Sequence, residues 1–185
     1  MDSTAKMLKA LTEAHGISGF EAPVRQVVRG YFEDLGELSQ DKLGSVICKK
    51  PGSTEGPKVM LAGHMDEIGF MVKQISKEGF IRFVPIGGWF DQVVLGHRVV
   101  IHTAKGDVIG LIGAKPPHVL PADERKKIVE KKDMYIDVGA SSKEEVLEMG
   151  VQLGDPIIPQ SEFVVMSNGK TYLSKAFDDR VGVAL

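Results

Sequence analysis

Residues 58–63 have the sequence KVMLAG, and residues 64–69 continue it as HMDEIG. The first six residues form a short, nearly continuous apolar run, which is typical of a strand covered on both faces. Two helical patterns precede this run, over residues 4–15 and 21–35, and each ends next to a glycine. Two helices followed by such a run predict a layered α/β unit.

The middle of the chain has a different pattern, because its apolar runs are shorter and alternate with polar residues. The runs are, in order, FMVKQIS (70–76), FIRFVPI (80–86), HRVVIHT (97–103), DVIGLIG (107–113), MYIDVG (134–139) and DPIIP (155–159). Glycine-rich turns separate several of them. Short strands at this spacing predict a small barrel or sandwich. Brief helical patterns interrupt the strands over residues 122–129 and 143–149.

This order of patterns predicts a β-rich module inserted into an α/β domain. The α/β domain would comprise residues 1–69 and 164–185, and the inserted module residues 70–163. After the module, the chain continues as a predicted strand and the start of a helix.

Composition excludes several classes of protein. The chain has 23 Lys and Arg residues against 25 Asp and Glu, a net charge of −2, which gives no basic field for nucleic acid. Cys48 is the single cysteine, so no intramolecular disulfide forms. No run approaches the ~20 apolar residues that span a bilayer, and the N-terminal residues lack the apolar core of a signal peptide. We therefore expect a cytoplasmic protein with no nucleic-acid or membrane partner.

The first candidate site is the segment that follows the apolar run. His64 and Asp66 would point to the same side of an extended chain, and Glu67 to the other. A carboxylate two residues from a histidine can orient a ring that binds metal through its second nitrogen. The alternative is a structural histidine at a strand end, with both acids in the following turn.

The second candidate site is a pair of aspartates, Asp178 and Asp179, at the start of the predicted C-terminal helix. As structural groups they would cap the helix and complement its dipole. Alternatively, Asp178 would bridge two divalent cations that share one activated water, and Arg180 would help to hold the carboxylates.

For several other residues the sequence gives weaker support for a functional role. His118 lies in a rigid turn and is either structural or close to a substrate or a neighbouring subunit. Trp89 and Phe90 follow two glycines and are candidates for exposed anchors at an interface. The charge-dense residues 122–133 are typical of a solvated helix face. Cys48 has no histidine near it in sequence, which gives no support for a thiol nucleophile.

Six motifs occur in a defined order along nearly the whole chain. They are AGHMDEIGFMV (62–72), GFIRFVPIGGW (79–89), IGAKPPH (112–118), DVGASSKEEV (137–146), GVQLGD (150–155) and KAFDDRVG (175–182). This ordered set resembles the glutamyl or deblocking aminopeptidase family, the tetrahedral binuclear metallo-aminopeptidases. The resemblance implies a layered, phosphorylase/hydrolase-like α/β catalytic domain, interrupted by a PDZ-like β-barrel dimerisation domain.

The resemblance also implies an activity and its partners. The expected function is hydrolysis of N-terminal residues from peptide substrates with two divalent metal ions, zinc or cobalt. The expected assembly is a dimer, which in many members builds twelve-subunit particles.

Individual residues match the motifs of the family. His64 matches the histidine ligand of one metal, and Asp66 matches the catalytic-site aspartate that orients and polarises that histidine. Asp178 matches the bridging metal ligand, whereas Asp179 fills a position that accepts Asp or Asn and is not expected to be a ligand. The family's Glu-Glu pair, a later aspartate and a final histidine have no counterpart before Leu185. We therefore expect this chain to contain part of the site and to be inactive alone.

Two alternatives to the aminopeptidase remain. One is a catalytically inactive oligomerisation or binding fragment built around the inserted barrel. The other is a glycosidase, since some members of the family are labelled endoglucanases. A glycosidase would use Asp66 and Glu67, but neighbouring strand residues face opposite sides, whereas glycosidase carboxylates flank one bond about 5–9.5 Å apart.

Overall fold

A computed structural model describes residues 1–53 and 56–185 of the chain. They divide into two compact units, one formed by residues 1–67 and 161–185 and the other by residues 68–160. We call them the helical unit and the barrel unit.

The helices, in chain order, are α1 (Ser3–Glu13), α2 (Ala22–Phe32), α3 (Asp91–Val94), α4 (Lys143–Glu148) and α5 (Phe177–Ala184). The strands are β1 (Glu37–Gln40), β2 (Val46–Lys49), β3 (Gly69–Ile75), β4 (Ile81–Ile86), β5 (Arg98–Thr103), β6 (Gly106–Gly113), β7 (Tyr135–Asp137), β8 (Pro156–Pro159), β9 (Val164–Val165) and β10 (Tyr172–Leu173). Single 3₁₀ turns occur at Pro117–Val119, Glu124–Lys126 and Lys131–Asp133. None of the helices in the described ranges is long and apolar enough to cross a membrane.

The core of the helical unit lies between α1 and α2. Leu11, Val24 and Val28 are buried there. Helix α1 begins where the side chain of Asp2 accepts a hydrogen bond of 2.7 Å from the backbone N–H of Ala5. Helix α2 ends three residues earlier than its pattern predicts, because the chain tightens into a turn and leaves Leu35 half exposed.

The apolar run at residues 58–63 is not a strand, contrary to its pattern. Val59, Met60 and Leu61 are 79%, 87% and 80% exposed. A strand of this kind needs neighbours at its edges and layers on both faces, and among the described residues no strand pairs with it. The sheets of the helical unit are instead the β1–β2 and β9–β10 hairpins.

The barrel unit contains a closed six-stranded barrel, so of the barrel and the sandwich that the alternating runs predict, the structure has the barrel. Its strands are ordered β3-β4-β7-β6-β5-β8, and all neighbouring pairs are antiparallel. Side chains that point inward along each strand fill the core, among them Phe70, Ile81, Ile101, Ile136 and Ile157.

Two features of the barrel unit differ from the sequence predictions. Residues 122–129 form no α-helix, only the 3₁₀ turn at Glu124–Lys126, because the segment has no apolar face to bury and Ile128 remains 58% exposed. Trp89 is not an exposed anchor. Its ring stacks on Phe70 with centroids 4.7 Å apart, and its Nε1 donates to the Gly69 carbonyl, whereas Phe90 is 78% exposed.

Candidate metal centre

The structure brings three sequence-predicted residues of the helical unit together around one imidazole ring. His64 Nδ1 lies 2.9 Å from Asp66 Oδ1, and His64 Nε2 lies 3.0 Å from Asp178 Oδ1. An ionised carboxylate only accepts hydrogen bonds, so in this arrangement Nδ1 donates a proton to Asp66 and Nε2 donates a proton to Asp178. A metal ion bound at Nε2 would replace the proton on that nitrogen, next to Asp178, whose side chain is 96% exposed.

Close packing places the residue before His64 against helix α5. A Cβ atom at Gly63 would lie 2.9 Å from the backbone nitrogen of Val183 and 3.1 Å from Asp179 Oδ2. Only glycine allows this approach of two backbones. The segment that bears His64 therefore reaches the start of the helix that bears Asp178.

The two aspartates at the start of α5 have different surroundings. Asp179 Oδ1 accepts a hydrogen bond of 3.2 Å from the Gly182 N–H, which is the geometry of a helix cap. Asp178 has an extended backbone, with φ −87° and ψ 107°, and its side chain turns to His64 instead. The capping role considered for both residues therefore belongs to Asp179.

Arg180 lies beneath the site and is fully buried. Its guanidinium donates to the carbonyl oxygens of Leu11, Ala14, Gly16 and Met65 at 2.8, 2.6, 3.3 and 2.8 Å. Those carbonyls belong to the end of α1, the segment after it and the segment that contains His64. Arg180 therefore holds these segments together. It does not hold the carboxylates of Asp178 and Asp179, which the sequence predicted.

Glu67 points away from His64 and Asp66, as the alternation of extended residues predicts. Its Oε1 lies 2.6 Å from Lys175 Nζ and 3.2 Å from Arg180 Nη2, and its side chain is 3% exposed. Burial lowers the pKa of the Lys175 ammonium, and the Glu67 carboxylate opposes that effect. Asp66 and Glu67 thus do not face one substrate, which removes the geometry that a glycosidase would need.

The protonation of the His64 group depends on its two carboxylates. Partial burial acts to lower the pKa of His64, but the hydrogen bonds with Asp178 and Asp66 outweigh it and raise the pKa above the ordinary value. Burial acts to raise the pKa of Asp66, but the hydrogen bonds from Ser18 and His64 outweigh it and lower that pKa. Asp66 therefore remains ionised as a partner for the ring.

Ser18 and Lys175 belong to this site but are absent from the sequence prediction. The Ser18 hydroxyl donates to Asp66 Oδ2, and Lys175 neutralises Glu67. Serine is common in turns and lysine is common at surfaces, so neither residue type gives a signal in a single sequence. His118 and Cys48 lie elsewhere, the first exposed in a 3₁₀ turn and the second half-buried in β2.

Family models match most of the chain. A model described as M42 glutamyl aminopeptidase matches residues 44–185, and a model described as AMPT matches residues 2–28.

Three individual proteins are similar to this chain over nearly its whole length. The glutamyl aminopeptidase of Lactococcus lactis subsp. cremoris (strain MG1363) is 40% identical over 95% of this chain and 50% of its own length. A TET aminopeptidase of known crystal structure comes from a marine sediment archaeon, Thaumarchaeota archaeon SCGC AB-539-E09. Its sequence is 52% identical and its structure superposes with a TM-score of 0.94, over 98% of this chain and 51% of that one.

A third relative is the TET1 peptidase of Pyrococcus horikoshii, whose structure is described as able to assemble into a tetrahedron or a large octahedral shell. It is 36% identical with a TM-score of 0.85, over 98% of this chain and 54% of that one. The chain therefore spans about half the length of these relatives.

Proposed function

Because the chain belongs to the M42 glutamyl aminopeptidase family, we propose that it supplies part of a binuclear metal site that removes N-terminal residues from peptides. The observation that supports this most strongly is the His64 ring, whose Nδ1 is held by Asp66 and whose Nε2 faces Asp178. The helical unit is then part of a layered α/β catalytic domain, and the barrel unit is the inserted PDZ-like domain.

The donor atoms at this site fit a divalent metal ion. Imidazole nitrogen and carboxylate oxygen are ligands that zinc and cobalt accept. Asp178 has two carboxylate oxygens on a 96% exposed side chain, so it can bridge two ions. A catalytic zinc ion takes about three protein ligands, and we assign the remaining ligands and the general base to the half of the relatives' length that this chain does not span.

Each residue at or beneath the candidate metal centre would have a separate role. When bound, divalent ions polarise a carbonyl oxygen and lower the pKa of water to about neutral. His64 presents Nε2 as a ligand, because Asp66 keeps the proton on Nδ1. Asp178 supplies negative charge next to that nitrogen, and Asp179 keeps the helix capped. Arg180 and Glu67 keep the two segments in register beneath them.

Self-association through the barrel unit is a second part of the proposal. Ile109 and Leu111 on β6 are 60% and 48% exposed, while the alternate residues Gly110 and Ile112 are buried. A closed barrel has no free strand edge, so an assembly would use side-chain faces such as this one. An assembly fragment without catalysis remains the alternative, and it predicts dimers with neither bound metal nor peptidase activity.

The activity is tested on the full-length protein with short peptides as substrates. We expect release of N-terminal residues that a chelator abolishes and added zinc or cobalt restores. The His64→Ala variant should lose more than about tenfold in kcat/KM. Asp179→Asn is the matched control, because asparagine caps helices as well as aspartate does. A loss below tenfold in His64→Ala, or activity that a chelator leaves intact, would contradict the proposal.

A further inference from the structure

We propose that Ser18 is a positioning residue of the metal centre, which fixes the Asp66 carboxylate so that His64 presents Nε2 to a divalent ion. This inference rests on the proposed function, because it assigns His64 as a metal ligand. The observation behind it is a continuous chain of side-chain contacts, from the Ser18 hydroxyl to Asp66, from Asp66 to His64 and from His64 to Asp178.

The two oxygens of Asp66 are used separately. Oδ2 accepts the hydroxyl hydrogen of Ser18, and Oδ1 lies 2.9 Å from His64 Nδ1. A carboxylate that is held only by the imidazole can rotate about its Cβ–Cγ bond, since that torsion has a broad energy profile. The hydroxyl of Ser18 removes this freedom. The plane of the carboxylate, and with it the direction of the imidazole ring, is then set by two contacts instead of one.

The backbone explains why Ser18 lies next to Asp66. Ile17 and Glu67 form an isolated parallel bridge, and the Glu67 N–H donates to the Gly16 carbonyl at 2.8 Å. Ile17 is fully buried and Glu67 is 7% exposed, so both side chains point inward. Neighbouring residues of extended segments face opposite sides. Asp66, which precedes Glu67, therefore points outward. Ser18 is exposed at the start of the turn that the Phe20 N–H closes on the Ile17 carbonyl at 2.8 Å, and its hydroxyl reaches Asp66 from there.

This arrangement is fixed from below by buried groups. Arg180 donates to the carbonyls of Gly16 and Met65, which are two residues before Ser18 and one residue before Asp66. The pair of segments is thus held by one guanidinium, while Ser18 itself is an exposed residue. An exposed serine can be replaced without opening the core, so its removal separates orientation from folding.

The test measures metal affinity of the full-length protein by competition with a chelating dye, using zinc and cobalt separately. Ser18→Ala should weaken the affinity by about tenfold, the lower end of the 10–100-fold range for residues that support metal ligands. Ser18→Thr keeps the hydroxyl and should bind like the wild type. Ser174→Ala is the matched control, because its hydroxyl donates to Thr12 Oγ1 at 2.9 Å in the same unit but contacts neither Asp66 nor His64. Thermal unfolding midpoints should show that Ser18→Ala is folded as stably as Ser18→Thr.

A crystal structure of the metal-free Ser18→Ala variant provides the second readout. We expect the Asp66 carboxylate to rotate and its contact with His64 Nδ1 to lengthen or break. Unchanged metal affinity together with an unmoved Asp66 would overturn the inference. If the wild type binds no metal, the proposed function fails, and the position of Asp66 in the variant still decides whether Ser18 orients it.

Discussion

Arg180 joins several separate segments of the helical unit. Its side chain is fully buried and donates hydrogen bonds to backbone carbonyls from separate segments, besides its ion pair with Glu67. A lysine has the same charge but lacks the planar fork of donors. We expect Arg180→Lys to lower the free energy of unfolding by at least about 2 kcal/mol, because several charge-assisted hydrogen bonds are lost.

Denaturant unfolding of the full-length protein measures this change. Arg25→Lys is the matched control, since Arg25 donates a hydrogen bond of 3.1 Å to the Gly44 carbonyl. The Arg25→Lys substitution should lower the free energy of unfolding by less than about 1 kcal/mol. Equal effects of the two substitutions would show that Arg180 has no special role.

Glu13 gives a pH-dependent contribution to stability. Its carboxylate accepts hydrogen bonds from Lys9 and from the Phe163 N–H, which links α1 to the segment before β9. Burial acts to raise the pKa of Glu13, but these contacts outweigh it and lower the pKa below 4.5. A lowered pKa means that the contribution is complete above the unfolded value, and that it is lost as pH falls through the folded value.

Glu13→Gln tests this dependence through thermal unfolding at several pH values. At neutral pH the variant should be less stable by about 0.5–1 kcal/mol. Below the folded pKa of Glu13 the difference should disappear, because the protonated acid and the amide are then alike in charge. A difference that does not change with pH would contradict the assignment.

The residues of the candidate site differ in how well the sequence predicts them. The H-x-D spacing predicts that His64 and Asp66 share a side, and the structure confirms that geometry. The pairing of His64 with Asp178 spans more than a hundred residues and came from the family motif rather than from spacing. Ser18 was missed because its contact with Asp66 depends on a backbone bridge between Ile17 and Glu67, which no local pattern encodes.

At the scale of elements, the exposed run at residues 58–63 has a measurable consequence. Val59, Met60 and Leu61 form a contiguous exposed apolar segment, and exposed apolar segments favour aggregation. We expect Met60→Lys to reduce light scattering by the isolated 185-residue chain at elevated temperature. Leu43→Lys is the control, because Leu43 is 94% exposed but is not part of an apolar run. Equal scattering by both variants would contradict this expectation.

The element predictions succeeded where the pattern was local. Alternation of polar and apolar residues sufficed for the barrel strands, because a barrel buries one side of each strand against its own interior. The run at residues 58–63 has the pattern of a buried strand but is not one, since its burial depends on partner strands that the described residues do not supply. The charged segment after Pro121 likewise differs from its helical pattern, because a helix without an apolar face gains no stability from packing.

At the scale of the whole molecule, the ordered motifs predicted the family, which the comparisons confirm. The proposed assembly can be tested on β6. We expect Ile109→Lys to weaken self-association of the full-length protein by at least about tenfold, which is about 1.4 kcal/mol. Sedimentation over a range of concentrations measures the change, and Leu43→Lys in the helical unit is the control. An unchanged association constant for Ile109→Lys would exclude the outer face of β6 from the interface.

The number of divalent ions bound per subunit of the full-length protein is the measurement closest to the central claim. Zinc or cobalt content after dialysis should be two per subunit in the wild type. Asp178→Asn should bind fewer, because the amide cannot bridge two cations as a carboxylate does. Asp179→Asn, with the cap intact, should still bind two. Two ions in the Asp178→Asn variant would contradict the account, and so would a wild-type protein that binds none.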